Sequence, residues 1–159
     1  MGKHDELKYA VGGWAKDQGK RPLYEQEMPK WNKIGETDAR GRPKRAILDV
    51  VYWHEGRQTC VDVSLVDGSE VVGGGNPKYA IARREKKKHV RYPGPDLYPF
   101  VIDARGRWGK EALAWAAGMV RNLDAAEREQ EIRRLRILVS NCVQTGVSEQ
   151  IIAAGKTRV

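Results

Sequence analysis

Residues 45–66 read RAILDVVYWHEGRQTCVDVSLV. Two runs rich in β-branched and aromatic residues flank His54-Glu55-Gly56-Arg57, and Glu55-Gly56 supplies a two-residue hairpin turn. Counting outward from that turn pairs His54 with Arg57, Trp53 with Gln58, Val51 with Cys60 and Asp49 with Asp62. Alternation assigns Leu48, Val50, Tyr52, Val61, Val63 and Leu65 to a core face. Asp49, Val51, Trp53, Gln58, Cys60, Asp62 and Ser64 fall on the other. Aspartates directly opposite one another repel, and a divalent cation is the simplest compensation. The plainer alternative makes both aspartates ordinary strand-end residues in a register displaced by one, which would bury one of them in the apolar face.

Working outward, residues 6–18 predict a helix with Leu7, Tyr9, Ala10, Val11 and Trp14 on its apolar side, Asp5 as a candidate N-cap and Gly19 as its stop. Residues 23–28 alternate as an outer strand. Residues 29–44 are rich in Gly, Pro and charge and read as a long loop, whose Lys30, Lys33, Arg40, Arg42, Lys44 and Arg45 either touch phosphate or solvate it. Beyond the hairpin, Gly73-Gly74-Gly75 reads as a hinge. Pro77 then opens a helix over 77–90. That helix carries Lys78, Arg83, Arg84, Lys86, Lys87, Lys88 and Arg91 against a single acid, Glu85. Like charges four residues apart repel, so an anionic partner is expected beside it.

Residues 97–104 form another strand, with Pro99 predicting a start at or beyond that residue. A helix over 110–122 follows, then a last long helix opened by the Asp124/Glu127 capping pair and running to about residue 144. Residues 148–154 add one more helical turn. The stripe Ile132, Leu135, Leu138, Val139 and Cys142 is core or a partner surface.

A chain of 159 residues with net charge +8 fits one domain with a polyanionic partner. Its two cysteines, without a Cys-x-x-Cys or Cys/His cluster, offer neither a disulfide framework nor a zinc site. MGKHDELK is not an apolar signal region, and Glu6 stands where a myristoylation signal needs Ser or Thr. No run approaches the roughly 18 apolar residues of a membrane span. An intracellular, soluble chain or an excised domain is expected.

Facing carboxylates beside a basic helix point to metal-assisted phosphodiester hydrolysis. Asp49 and Asp62 are the oxygen ligands, and a lysine is supplied from outside the hairpin. The order helix, strand, acidic hairpin, helix, strand resembles the PD-(D/E)XK nuclease superfamily. More narrowly, it resembles the restriction-like endonuclease domain of site-specific non-LTR retrotransposons. The matching residues are Lys3-His4-Asp5, then Leu48-Asp49, twelve intervening residues, Asp62-Val63-Ser64, and Lys88-His89-Val90-Arg91-Tyr92.

The resemblance implies an α/β (α+β) fold with a restriction-endonuclease-like central mixed sheet, an acidic β-hairpin flanked by helices, and extra C-terminal helices. The nuclease core would span 1–108, and 109–159 would be a helical extension packed on it within a single domain. Asp49 and Asp62 would bind Mg²⁺, with Mn²⁺ as a substitute. Lys88 would be the catalytic lysine and Lys87 its fallback. His4 would serve catalysis or DNA contact, and Asp5 would match an acidic residue on the first helix of some members. Lys3, Lys78, Arg83, Arg84, Lys87 and Arg91 would contact nucleic acid. The implied activity is a metal-dependent DNA endonuclease nicking target DNA for target-primed reverse transcription. A reverse transcriptase domain of the same polyprotein would be its partner, and a eukaryotic retroelement would place it in the nucleus.

Leu48 departs from the family's proline, the connection after Asp62 is long, and no reverse transcriptase or zinc finger lies within these residues. Two other readings stand beside this one. The first is a non-catalytic nucleic-acid-binding module of the same fold, and the second an interaction domain using the C-terminal apolar stripe.

Overall fold

In the computed structural model, which describes residues 2–66 and 77–156 apart from the side chains of 34, 77, 78 and 145–156, the central hairpin keeps its expected register. His54 opposes Arg57, Trp53 opposes Gln58 and Val51 opposes Cys60. Glu55 and Gly56 both take left-handed backbone, φ 51° and 76°, the combination that matches the twist of a two-residue hairpin.

The elements in chain order are α1 (Lys3–Asp17), β1 (Leu23–Glu27), a single 3₁₀ turn (Pro29–Trp31), β2 (Lys33–Thr37), β3 (Pro43–Lys44), β4 (Ile47–His54) and β5 (Arg57–Val66). They continue with α2 (Pro77–Arg91), β6 (Leu97–Asp103), α3 (Lys110–Met119) and α4 (Ala125–Lys156). The fold is mixed α+β. A four-stranded sheet runs in the order β1-β4-β5-β6, and β2 and β3 form a separate two-stranded sheet. β1, β4 and β5 are antiparallel neighbours, whereas β6 lies parallel to β5. α2 is the crossover that a parallel pair requires.

Strand alternation divides the packing into two layers. Val50, Tyr52, Val61, Val63, Phe100 and Ile102 face α1, α3 and α4, whose Leu7, Val11, Trp14, Trp115, Leu135 and Val139 complete the main core. Trp115 meets Phe100 edge-on at 5.8 Å and Trp14 at 5.6 Å. Each such large apolar side chain contributes about 1.5–3 kcal/mol on full burial. The polar ends of these indoles are satisfied: Trp115 Nε1 donates to Tyr52 Oη at 2.9 Å and Trp14 Nε1 to the Glu131 carbonyl at 3.1 Å. On the opposite face α2 sets Ala80 and Ile81 against Val66 and Val101. Next to it, Met28, Trp31, Ala46, Leu48, Val51, Cys60 and Leu97 make a second cluster.

Several local expectations are corrected. Residues 29–44 are not one loop but a 3₁₀ turn followed by the β2–β3 ribbon. β6 begins at Leu97, because Pro99 sits on an edge strand, where alternate N–H groups need no partner. α1 starts at Lys3 with Gly2 as its N-cap, so Asp5 lies inside the first turn and does not cap the helix. Leu48 is buried in the second cluster instead of the main core, at the point where β4 has left β5 and pairs only with β1. α4 is one continuous helix of 32 residues. The Gly73-Gly74-Gly75 hinge lies outside the described residues.

Candidate metal and nucleic-acid site

The β4–β5 ladder runs from His54–Arg57 as far as Val50–Val61. One step further the strands part, so the expected Asp49–Asp62 pair is not in the ladder and the two residues occupy the fork. The Val63 N–H, which no longer meets a carbonyl of β4, donates instead to Asp49 Oδ2 at 2.9 Å. That bond fixes one carboxylate by backbone geometry alone. Asp49 and Asp62 are 8 % and 4 % exposed. Burial first, and then the Asp62 carboxylate, push the Asp49 carboxyl well above the usual range, against the opposing pull of Val63 N–H and Lys88.

α2 descends along β5 so that residues seven apart in the helix meet residues four apart in the strand. The two spans are about 10 Å and 13 Å. Ile81 packs by Val66, Arg84 donates to Ser64 Oγ at 2.5 Å, and Lys88 Nζ donates to Asp62 Oδ2 at 2.6 Å. Ile81, Arg84 and Lys88 share one face of the helix. Lys87, about 100° around the axis, is exposed together with Arg83 and Lys86. The geometry therefore brings Lys88, not Lys87, to the carboxylates. Burial and the Asp62 carboxylate also raise the phenol of Tyr92, which follows one turn later.

α1 closes the third side. His4 Nε2 lies 3.2 Å from Asp49 Oδ2. Asp5 does not reach Asp49; it binds Lys8 Nζ at 3.1 Å, and that contact holds its carboxyl below the usual range. Lys8 is fully buried and also meets Glu25, whose left-handed backbone, φ 53°, interrupts the β1–β4 pairing opposite Asp49. Burial pulls the Lys8 ammonium down, but Glu25 and Asp5 together outweigh it and hold the group above its ordinary value. The sequence carries no signal for this pair beyond the residue types, because it depends on the left-handed backbone of Glu25.

Of the remaining basic candidates, Arg91 is committed to the Trp31 carbonyl at 2.5 Å and stacks over Tyr92 at 4.8 Å. Lys3 is half-buried at the start of α1. The Lys78 side chain lies outside the described ones. Arg83 and Lys87 point to solvent on the outer side of α2, while Arg84 is held against Ser64.

Among the described residues, no group of three or more His, Cys, Asp or Glu gathers into a protein-only metal cage. Two carboxylates supply the ligand set that a largely hydrated Mg²⁺ uses, with the remaining positions left to water and phosphate. A cavity of about 500 Å³ lies elsewhere, at the turn end of the hairpin between Tyr52, His54, Tyr98, Trp115 and Arg121. It includes none of the acidic residues of the fork. Both cysteines are free, and no described helix is long and apolar enough to cross a membrane. No protein-family model matches the chain, and no curated protein matches it.

Proposed function

We propose that the chain is a metal-dependent DNA endonuclease of the restriction-like type, with Asp49, Asp62 and Lys88 as its reactive centre. The observation that carries this reading is one contact in one setting. An ammonium group delivered from a separate helix sits 2.6 Å from a buried aspartate, whose neighbour is a second buried carboxyl. Burial and the neighbouring Asp62 disfavour ionisation of Asp49 in this poorly solvated fork, and a divalent cation would offset the second negative charge that its ionisation creates.

Asp49 and Asp62 would hold Mg²⁺ or Mn²⁺ there, and the ion would polarise the phosphate and lower the pKa of water. The chain's own groups do the rest. Val63 N–H and His4 orient Asp49. Lys88 positions the attacking water or offsets charge developing on the phosphate. Arg83, Lys86 and Lys87 on the exposed side of α2 supply sequence-independent phosphate contacts. The use of the nick to prime reverse transcription, with a reverse transcriptase domain as partner, rests on the family resemblance alone.

The test is cleavage of supercoiled plasmid and branched DNA in Mg²⁺, Mn²⁺ or EDTA by the native chain and by Asp49→Asn, Asp62→Asn and Lys88→Met. Nicking that needs the metal and is lost in all three variants is the expected result. DNA binding by all four proteins with cleavage by none would favour a binding module of the same fold.

A further inference from the structure

The β2–β3 ribbon is a strongly cationic excursion rooted beside the carboxylates. Residues 35–45 are all exposed, and none of them joins a core cluster. An isolated two-stranded ribbon is marginal in water. This one is held at both ends. At the root Trp31 and Ala46 are buried, Ala46 N–H donates to Asn32 Oδ1 at 2.8 Å, and Trp31 Nε1 donates to the Pro93 carbonyl at 2.8 Å. At the tip Asp38 Oδ1 accepts the N–H groups of Arg40 and Arg42 at 2.9 and 3.0 Å. Residues 35–45 are thus held out in solvent by these contacts.

Its charges are poorly matched. Lys33 meets Glu36 at 3.2 Å, Arg45 meets Glu27 at 3.6 Å, and Arg42 only approaches Asp38 at 4.0 Å. Arg40 and Lys44 form no ion pair among the described residues. Lys33 and Lys44 stand directly opposite each other across the ribbon. Like charges so placed repel, and an anion between them relieves the repulsion. The root adjoins the candidate site, since Arg91, one turn beyond Lys88, donates to the Trp31 carbonyl.

We infer that the β2–β3 ribbon is a duplex-DNA arm that enters the major groove. Its placement beside the scissile phosphate rests on the nuclease reading; its grip on DNA does not. The B-form major groove, about 12 Å wide and 8.5 Å deep, admits a two-stranded ribbon. β2 bulges between its paired positions Lys33–Lys44 and Thr37–Pro43, and the turn beyond them, closed by Asp38 N–H on the Arg42 carbonyl at 2.7 Å, presents Arg40 and Arg42 at the tip. Lys33 and Lys44 contact the backbone, and Arg40 and Arg42 at the tip reach guanine edges, where the guanidinium fork pairs with O6 and N7.

The experiment measures binding of the full chain to duplex DNA, single-stranded DNA and duplex RNA by fluorescence anisotropy in Ca²⁺ across a salt series, with guanine-N7 methylation interference on the DNA duplex. Native protein is compared with Arg40→Gln/Arg42→Gln, Lys33→Gln/Lys44→Gln and a charge-matched control on α4, Arg128→Gln/Arg133→Gln. The tip pair should weaken duplex-DNA binding tenfold or more, lower the salt slope by about 2, and abolish N7 interference seen with native protein. The root pair should lower the slope without moving the interference pattern, and the control should change neither. Three results would overturn the assignment: ribbon variants that behave like the control, equal losses on single and double strands, or equally tight binding to duplex RNA, whose narrow major groove excludes a ribbon. Metal-dependent nicking is scored separately with Asp49→Asn. Failure of the ribbon leaves that nicking in place, and failure of the nuclease reading leaves ribbon-dependent binding in place.

Discussion

Replacing Asp49 by Asn should make the metal-free protein more stable while destroying its activity. The Asp49 carboxyl is pushed up to about 8 by burial and by Asp62. Between its ordinary value and pH 7 lie about three units, each about 1.4 kcal/mol. The full penalty of housing the acid is therefore on the order of 4 kcal/mol. The carboxyl shares its environment with Asp62, and Lys88 relieves part of the strain, so about 2 kcal/mol is the working expectation. Asn is nearly isosteric, its carbonyl still accepts the Val63 N–H, and its amide can donate to Asp62.

For a domain of this length about 2 kcal/mol corresponds to a rise of roughly 4–8 °C in Tm, measurable by circular dichroism in EDTA at pH 7. The sign with pH follows. Between about pH 4 and pH 8 the folded native chain binds more protons than the unfolded chain, so its stability falls as pH rises through that window. The Asn variant should lose this slope. Saturating Mg²⁺ should reverse the ranking, because only the native protein gains from the ion. An Asn variant less stable than native in EDTA, with the pH slope intact, would refute the reasoning.

Three further outcomes follow from particular contacts. Lys88→Met should keep divalent-metal binding, as seen by calorimetry, while cleavage falls by about a hundredfold or more; an unchanged rate would remove Lys88 from the chemistry. Gly109→Ala would place a Cβ 2.6 Å from Glu85 Oε2 and 2.8 Å from Ile81 Cγ2. It should cost about 1–3 kcal/mol in urea unfolding, and a neutral result would mean that α3 shifts freely on α2. The Cys60 thiol is buried and pushed up to about 11. It should resist alkylation at pH 8 in the folded protein and react only on unfolding.

The hairpin was legible because the turn pair and strict alternation specify one register, and a one-residue slip would have buried a carboxylate among Val50, Tyr52 and Val61. The basic helix was legible from its charge. That Lys88 and not Lys87 reaches Asp62 was not, since the choice depends on how α2 is phased against β5. The β2–β3 ribbon was invisible to periodicity: residues 35–45 are all exposed, and what holds it is the Trp31–Ala46 root and the Asp38 turn. The Lys8–Glu25 pair was hidden because it requires a left-handed residue within β1. Pro99 misled because a proline is tolerated on an edge strand, and edge position is a property of topology that local sequence does not carry. His4 reached Asp49 through the earlier start of α1, which turns Asp5 away toward Lys8.

The account stands on Asp49 and Asp62 forming one divalent-cation site, and Mn²⁺ titration followed by electron paramagnetic resonance tests it most directly. Native protein and Lys88→Met should each bind one Mn²⁺ ion that Mg²⁺ displaces, and Asp49→Asn and Asp62→Asn should bind none at the same concentrations. Absence of binding by the native chain, or equal binding by the aspartate variants, would contradict it.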